Sequence, residues 1–550
     1  MQISDAARAL LSSRYLLPGE TPEDMFRRVA DDVGTDRKNR IVALMRDLIF
    51  LPNSPTLMNA GTAGGQLSAC FVLPVEDSID KIFATLGHMA LIHKSGGGTG
   101  FAFSHIRPRG DIVAGSPGVA SGPLSFIQVF DEATNALKQG GKRRGANMGV
   151  LASSHPDIMS FIHAKEEGGL RNFNLSVGFG TGFFGHLERG KPYDLVNPRD
   201  GSVWKAVDPG SIWEATVSAA WKSGDPGVLF FDRINDANTV PGLGLMEATN
   251  PCGEQPLFPY ESCNLGSINI SRCIRGNDFD YDLLREVVWL CVEFLDSIID
   301  VNRFPVPEIT TNTLRTRKIG LGVMGLADAF ILMGIPYQSE ESLVLAGNIM
   351  KFIQEEGHAA SRELAERKGS FPAIDQSVYR GPMRNATVTT IAPTGSLHII
   401  AGASSGIEPI FSYAFHRLIN GQRMSFFHPL LKAYLEKRPG GNALIDRVRE
   451  TGSVQDLPIP DADRELFRNA AEMEPSFHVR MQAAFQAHVD NAVSKTVNLP
   501  ESATPEDISQ VYSLARSLGC KGITVYRYNS KAEQVLSRGC DTCRADVLEL

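Results

Sequence analysis

The 550-residue sequence lacks any uninterrupted apolar run of the about 20 residues that a helix needs to cross a bilayer. Its first eight residues also lack the charged and then apolar order of a signal peptide. The net charge of −8 is small and negative, which disfavours a general binder of nucleic acid or of membrane surfaces. We therefore expect a cytoplasmic protein with neither nucleic acid nor membrane as a partner.

Cysteine is scarce, with eight residues in the whole chain. In a cytoplasmic chain of this length each cysteine is core filler, a metal ligand or redox-active, because no disulfide framework is expected. Cys540 and Cys543 form the one Cys-x-x-Cys, close to the end of the sequence. Such a pair suits reversible oxidation. A structural zinc site is the weaker alternative, because it usually needs a second such pair, so we predict no metal site.

Short apolar runs, glycine-rich turns and amphipathic helices alternate from Leu51 to about residue 530. This alternation predicts the α/β class with a mostly parallel sheet. Residues 1–50 are predicted to be helical, and residues 531–550 to form a mobile tail that carries the Cys-x-x-Cys. We expect helices after Thr21 and Thr504, where a cap residue precedes proline and acids. Residues 71–73 and 386–391 are expected strands.

The most informative stretch is Asn-Pro-Cys-Gly-Glu-Gln-Pro-Leu at 250–257. Its two prolines exclude a helix, because proline removes a donor and pushes the preceding residue to extended geometry. In an extended segment alternate side chains share a face, so Asn250, Cys252 and Glu254 would present an amide, a thiol and a carboxylate to one small molecule. A buried loop whose cysteine only fills space remains an alternative.

Two more cysteines, Cys70 and Cys263, are each expected at the end of a strand. They could meet as a reversible dithiol pair, or they could be two unrelated core thiols. The Cys-x-x-Cys of the tail favours the first interpretation, because a mobile dithiol can carry reducing equivalents to a buried pair.

Three glycine-containing segments could approach a ligand. The turn at 392–397 could cradle a phosphate after the expected strand, or it could be a plain strand-to-helix turn. The run at 96–100 allows close backbone approach to a ligand but lacks the ending of a P-loop. The segment from Gly320 to Gly325 matches a dinucleotide fingerprint, yet no strand is expected before it. We predict one glycine-rich helix over 319–333 and no nicotinamide site.

Together these segments resemble the large subunit of ribonucleotide reductases over nearly the whole chain. The form of 250–257 is specifically similar to the adenosylcobalamin-dependent class II enzymes. The tandem tyrosines of iron-dependent class I enzymes are replaced by Tyr526-Arg527-Tyr528, and the glycyl-radical motif of class III is absent. A class I large subunit that needs a metal-radical partner subunit is the alternative. The matching pieces are 51–60, 68–70, 96–100, 140–145, 250–257, 393–396 and 523–526.

The resemblance implies a ten-stranded α/β barrel of two five-stranded halves over residues 51–530, with the Cys252 segment as a finger loop through its centre. It implies the reduction of ribonucleotides, with diphosphates favoured, to 2′-deoxyribonucleotides by thiyl-radical chemistry that adenosylcobalamin initiates. No Asp-x-His-x-x-Gly segment indicates how cobalamin is held. A nucleotide-binding regulator that lost the chemistry is a further alternative, against which the complete set of cysteines counts.

The resemblance also implies roles for individual residues. Cys252 would become a thiyl radical that takes the 3′-hydrogen, Glu254 the base on the 3′-hydroxyl, and Asn250 the group that orients the hydroxyls. Cys70 and Cys263 would supply two electrons and close to a disulfide, with Cys70 the proton donor to the departing 2′-hydroxyl. Cys540 and Cys543 would re-reduce them, driven by a thioredoxin-like protein. Ribose and phosphate would be held by Ser54, Ala69, Gly98, Pro393, Thr394, Gly395 and Ser396.

The resemblance also implies that nucleotides regulate the base preference of the enzyme. Asp77 and Ser78 resemble the family's specificity site for deoxynucleoside triphosphates, with Arg107 and Lys142 available to neutralise effector phosphates. In the family this site lies at a dimer interface, so a homodimer is expected. About fifty residues precede the catalytic body, too few for the family's N-terminal ATP-cone, so we expect no general shut-off by dATP through such a domain.

Overall fold

The N-terminal region is helical, as predicted. Thr21 caps the second helix by accepting the Asp24 N–H, and the Asp24 carboxylate accepts the Thr21 N–H in return. The computed structural model describes residues 3–113, 118–137, 145–166, 168–180, 182–276, 278–419, 422–530, 536–538 and 547–549. The region comprises α1 (Asp5–Arg14), α2 (Pro22–Val33), α3 (Lys38–Arg46), β1 (Phe50–Pro52) and α4 (Ser54–Asn59).

Five parallel strands form the first half of a barrel, in the order β2, β3, β4, β5, β8. These strands are almost wholly buried, because helices cover their outer faces. The elements are β2 (Cys70–Leu73), α5 (Ile79–Lys94), β3 (Gly98–Ala102), α6 (Pro123–Leu137), β4 (Asn147–Ala152), α7 (Ile158–Ile162), β5 (Phe173–Phe179), α8 (Phe183–Arg189), β6 (Tyr193–Val196), β7 (Val203–Val207), α9 (Pro209–Ser223), β8 (Gly227–Phe230) and α10 (Phe231–Asp236).

A short hairpin and the second half follow. The hairpin pairs β9 with β10 in antiparallel register. Its elements and those of the second half's first part are β9 (Ala248–Thr249), β10 (Pro256–Leu257), β11 (Glu261–Asn269), β12 (Ile274–Arg275), β13 (Asp278–Phe279), α11 (Tyr281–Val301), α12 (Pro307–Thr316), β14 (Ile319–Met324), α13 (Leu326–Met333), α14 (Glu340–Lys368) and α15 (Leu397–Ala401).

The remaining elements form a small lobe and complete the barrel. The helix expected after Thr504 is present, and Thr504 caps it. Among the described residues, no helix combines the length and apolar character needed to cross a membrane. The elements are β15 (Ala414–Ile419), β16 (Gln422–Phe427), α16 (Pro429–Glu436), α17 (Gly441–Thr451), α18 (Asp461–Leu466), α19 (Pro475–Gln486), β17 (Thr496–Leu499), α20 (Pro505–Ser517), β18 (Gly522–Arg527), β19 (Leu536–Arg538) and β20 (Val547–Glu549).

The two halves close into a ring. In the second half β11 pairs with β14, and β17 pairs with β18, all parallel. Single bridges from Leu321 to Thr389 and from Ile391 to Val493 insert the extended segment 387–391 between β14 and β17. The halves meet in two antiparallel seams, β2 with β11 and β8 with β18. The predicted α/β barrel with a ten-stranded sheet is therefore confirmed.

One expectation about the second half is wrong. Residues 319–333 do not form a single helix, because 319–324 is the buried strand β14 and the helix begins only at Leu326. The glycines of this segment serve packing inside the barrel: a Cβ on Gly322 would lie 2.1 Å from the Thr390 carbonyl oxygen. Two of the three glycines of the motif therefore lie within a strand, and only Gly325 lies at the turn into the helix that follows.

Candidate active site

The hairpin of β9 and β10 lies inside the barrel and carries the 250–257 motif at its tip. Its tip is a tight turn, in which Gly253 adopts a φ of +83° and donates its N–H to the Asn250 carbonyl at 3.0 Å. The Asn250 side-chain oxygen accepts the Gln255 N–H at 3.0 Å. The expected extended geometry is therefore wrong, since glycine at positive φ lets the chain reverse. We call residues 250–255 the finger turn.

Both halves of the barrel hold the finger turn. From the first half, the Asn174 amide donates to the Pro251 carbonyl at 2.8 Å. From the second half, the Thr390 hydroxyl donates to the Glu254 carbonyl at 2.9 Å. The glycine run at 96–100 admits the hairpin itself, because a Cβ on Gly100 would lie 1.7 Å from the Thr249 carbonyl oxygen. The sequence predicted that a ligand would approach this backbone closely. In the structure Gly97 and Gly98 line a cavity, but Gly100 is approached by the backbone of the hairpin.

A cavity of about 340 Å³ lies on one side of the finger turn, within the range of small-molecule sites. Four of the five predicted catalytic residues line it, and Cys263 lies behind them. All the residues predicted to hold ribose and phosphate line it as well. The predicted residues on its wall are Asn250, Cys252, Glu254, Cys70, Ser54, Ala69, Gly98, Pro393, Thr394, Gly395 and Ser396.

Cys70 and Cys263 face each other across the seam between the two halves. The antiparallel register of β2 and β11 places them directly opposite, both buried. Opposite residues in such a pair have Cβ atoms about 4.5–5.5 Å apart, so small movements bring two thiols to disulfide distance. The Asn250 amide donates to the Cys70 sulfur at 3.0 Å, and that sulfur lies 3.9 Å from a Glu254 carboxylate oxygen.

The chemistry of these groups follows from their surroundings. Cys263 is fully buried, and burial raises the pKa of its thiol well above the ordinary value. It is therefore held as a protonated thiol, able to deliver hydrogen but not to act as a thiolate at neutral pH. Cys252 differs from both, because it is exposed at the tip of the finger turn.

A second cavity, of about 360 Å³, lies on the opposite side of the finger turn. Pro251, Cys252 and Pro393 line both cavities, so the Cys252 thiol stands between them. Asn174, Ser176, Thr524 and Tyr526 supply polar side chains to its wall. The sequence motifs did not indicate this cavity, because its wall is assembled from strands of both halves.

The segment 393–396, which we call the phosphate loop, is strained at Thr394, whose φ is +53°. A short helix, α15, follows the loop. Sequence reasoning missed the residues that support this loop, Asp328, Ser405 and Glu408, because they carry no local motif. Only their positions in the fold bring them to it.

The predicted effector residues lie together at the start of α5. Arg107 donates to the Asp77 carboxylate at 2.7 Å, and Ser78 is the N-cap residue of the helix. Lys142, Cys540 and Cys543 lie outside the residues that the structure describes.

Comparison with known families agrees with this geometry. Residues 68–383 and 373–526 match the ribonucleotide reductase barrel domain, and residues 1–65 match its all-alpha domain. The chain belongs to the ribonucleotide reductase large-subunit family. The resemblance to the large subunit that the motifs indicated is therefore confirmed.

Several relatives of this reductase family are similar over most of the chain. A vitamin B12-dependent ribonucleoside-diphosphate reductase of Thermoplasma acidophilum is 53% identical over 91% of this chain and 66% of its own length. One of Mycobacterium tuberculosis is 48% identical over 98% of this chain and 81% of its own length. The Actinobacillus ureae class Id reductase alpha subunit shares the fold, with a TM-score of 0.80 and 23% identity over 96% of this chain and 99% of its own.

Proposed function

We propose that this chain reduces ribonucleotides, with diphosphates favoured, to 2′-deoxyribonucleotides by a radical on Cys252. The observation that carries the proposal is the position of one thiol in the walls of two cavities. A substrate in the first cavity and a radical initiator in the second would both reach this sulfur. The two relatives named above, both vitamin B12-dependent diphosphate reductases, support the same reaction and the same initiator.

The residues of the first cavity divide the reaction between them. The Cys252 radical takes the 3′-hydrogen, and the Glu254 carboxylate accepts the 3′-hydroxyl proton. Asn250 orients the substrate hydroxyls through its amide. Cys70 gives a proton to the leaving 2′-hydroxyl, which departs as water. Cys70 and Cys263 together supply two electrons and two hydrogens, and they end as a disulfide. Cys252 finally returns the hydrogen to the 3′ carbon of the product and becomes a thiyl radical again.

Adenosylcobalamin fits the second cavity as far as its nucleoside end. The cavity has room for a nucleoside-sized group beside Cys252, and Asn174, Ser176 and Thr524 offer hydrogen-bonding groups for a base and ribose. The bound cofactor supplies a carbon-centred radical that can take the Cys252 hydrogen. The protein holds the thiol in place between the two cavities.

A class I subunit with a metal-radical partner remains the second candidate, because Tyr526 on β18 lines the second cavity. A relay from a partner subunit would need a tyrosine neighbour, and the next tyrosine is Tyr528. We favour cobalamin for this reason.

The partners follow from the same proposal. A thioredoxin-like protein would reduce Cys540 and Cys543, and this dithiol chemistry suits a reducing compartment such as the cytoplasm. A homodimer would form through α5 and α6, which expose apolar side chains on one surface. Deoxynucleoside triphosphates would bind next to it, at Asp77, Ser78, Arg107 and Lys142. The apolar side chains are Ile79, Phe83, Leu91, Val129 and Leu137.

The test is turnover by the purified chain with CDP and dithiothreitol. We expect dCDP when adenosylcobalamin is added and none when it is omitted. A requirement for an iron or manganese subunit, with no response to cobalamin, would contradict the choice of initiator. Binding of CDP without product under either condition would favour the catalytically inactive regulator.

A further inference from the structure

A second loop supports the phosphate loop from behind. Residues 404–408, which we call the brace segment, contact it through side-chain hydroxyls. The Ser405 hydroxyl donates to the Pro393 carbonyl, and the Thr394 hydroxyl lies 3.5 Å from the Ser405 oxygen. The Gly406 N–H donates to the Thr394 hydroxyl at 2.8 Å. Since the Ser405 proton is directed to Pro393, Thr394 is the donor between the two hydroxyls.

This contact holds a strained backbone. Thr394 lies in the left-handed region, which is unfavourable for a residue with a Cβ because that atom comes too close to the following carbonyl oxygen. Such a conformation persists only where its surroundings fix it. The contact is also tight, because a Cβ on Gly406 would lie 2.9 Å from the Ala392 carbonyl oxygen. The phosphate loop and the brace segment therefore cannot move independently.

Two carboxylates fix the two ends of the brace segment, that of the buried Asp328 and that of the partly exposed Glu408. At its start, the Asp328 carboxylate accepts the Ser404 N–H at 2.5 Å and the His428 ring N–H at 2.9 Å. At its end, the Glu408 carboxylate accepts from the Lys495 ammonium at 2.5 Å. The Lys495 side chain is fully buried, so this pair is shielded from solvent on the cation's side.

We propose that Ser405 and Glu408 are positioning residues for the pyrophosphate group of the substrate. Neither belongs to the described wall of the substrate cavity, so they act through Thr394 and the backbone of the phosphate loop. Ser405 holds the loop in its strained shape, and Glu408 holds Ser405 in place. This inference rests on the proposed function, in which the phosphate loop binds the substrate's phosphates.

The test compares a ligand with phosphates and one without. Kd values for CDP and cytidine are measured by calorimetry on the full chain without cobalamin, so that no turnover occurs. Ser405→Ala should weaken CDP about tenfold and leave cytidine unchanged, because only the phosphates meet the loop. With cobalamin present, the same variant should raise KM while kcat stays close to that of the wild type.

Two further variants complete the test, of which the first is a control and the second tests Glu408. Ser412→Ala removes a buried hydroxyl that donates to the Ala414 carbonyl at 2.6 Å, away from the phosphate loop, and should leave both affinities unchanged. Glu408→Gln keeps the shape of the side chain but removes its charge. It should weaken the binding of CDP and leave the binding of cytidine unchanged. A wild-type ratio of CDP to cytidine affinity in Ser405→Ala, or an equal loss in Ser412→Ala, would overturn this inference alone. A wild type that does not prefer CDP to cytidine would overturn the phosphate assignment together with it.

Discussion

At Cys252, a single sulfur atom is accessible from two cavities, and no other residue of the finger turn has that property except the neighbouring proline. Replacement by serine changes only that atom. Cys252→Ser should form no dCDP even in one turnover, because an alcohol O–H is much harder to convert to a radical than a thiol S–H. Rapid-quench measurement with labelled CDP checks this, with unchanged CDP affinity as the control for folding. Product equal to one enzyme equivalent would contradict the role of Cys252.

His93 offers a prediction on stability against pH. It is buried, and burial lowers its pKa from 6.5 to about 4. Its Nε2 lies 2.9 Å from the Thr99 hydroxyl, whose own proton goes to the Asn147 amide oxygen. Nε2 therefore carries the hydrogen of a neutral ring.

The direction of the change in stability with pH follows from proton uptake by the unfolded chain. Between pH 6.5 and 4 the unfolded chain binds a proton at His93 and the folded chain does not. Stability should therefore fall with decreasing pH in that window, by up to about 3 kcal/mol from this residue. His93→Gln should lose less stability than the wild type over the same window in urea unfolding. Parallel pH profiles for the two proteins would contradict the assignment.

At the scale of residues, the sequence was sufficient to predict site residues where several of them fall within one motif. Asn250, Cys252 and Glu254 were predicted to meet one small molecule, and all three line one cavity. The reason given was partly wrong, because an extended strand was expected and Gly253 makes a turn. Asp328 and Glu408 could not be predicted, since the role of each carboxylate depends on partners that are distant in the sequence.

At the scale of elements, the close contact between β3 and the finger hairpin makes a prediction. Gly100→Ala would place a Cβ 1.7 Å from the Thr249 carbonyl oxygen, so the backbone of the hairpin must move. We expect loss of activity and a lower melting temperature. Gly347→Ala, in helix α14 with its nearest neighbour at 4.0 Å, is the matched control. It should stabilise the helix by roughly 0.5–1 kcal/mol. An active Gly100→Ala protein would contradict the packing.

The C-terminal segment carries a second prediction at this scale. Cys540→Ser or Cys543→Ser should complete about one turnover from the prereduced state and then stop with thioredoxin as reductant, because the buried disulfide is no longer re-reduced. Dithiothreitol should restore part of the rate. Turnover assays with each reductant check this. Full thioredoxin-driven activity would exclude the pair as the shuttle, and loss of bound zinc with unfolding would favour the metal-site alternative.

Capped helices were the elements predicted best, because their signals are local. Those after Thr21 and Thr504 begin where expected. Strand β14 was mistaken for a helix, because its alternating glycines hide the period-two pattern of a strand. Those glycines leave room for the finger turn and for the extended segment 387–391, which pack against β14. This packing exists only in the closed barrel and has no signal in the local sequence.

At the scale of the whole molecule, the exposed apolar side chains of α5 and α6 predict self-association. Phe83→Asp should convert a dimer to a monomer in sedimentation velocity, because a charge would be buried without a partner. Base preference should then no longer respond to deoxynucleoside triphosphates. Leu518→Asp, at a similarly exposed leucine away from these helices, should leave the dimer intact. A Phe83→Asp protein that remains dimeric would place the interface elsewhere.

The antiparallel seam between β2 and β11 has a mechanical consequence. Cys70 belongs to one half of the barrel and Cys263 to the other. If the pair supplies the electrons as proposed, each turnover would join the two halves by a covalent bond, and each re-reduction would break it. The reduced enzyme and the oxidised enzyme would then differ in the stiffness of the barrel as well as by two electrons. The reductant that restores the two thiols would thereby also allow the two halves of the barrel to move before the next substrate binds.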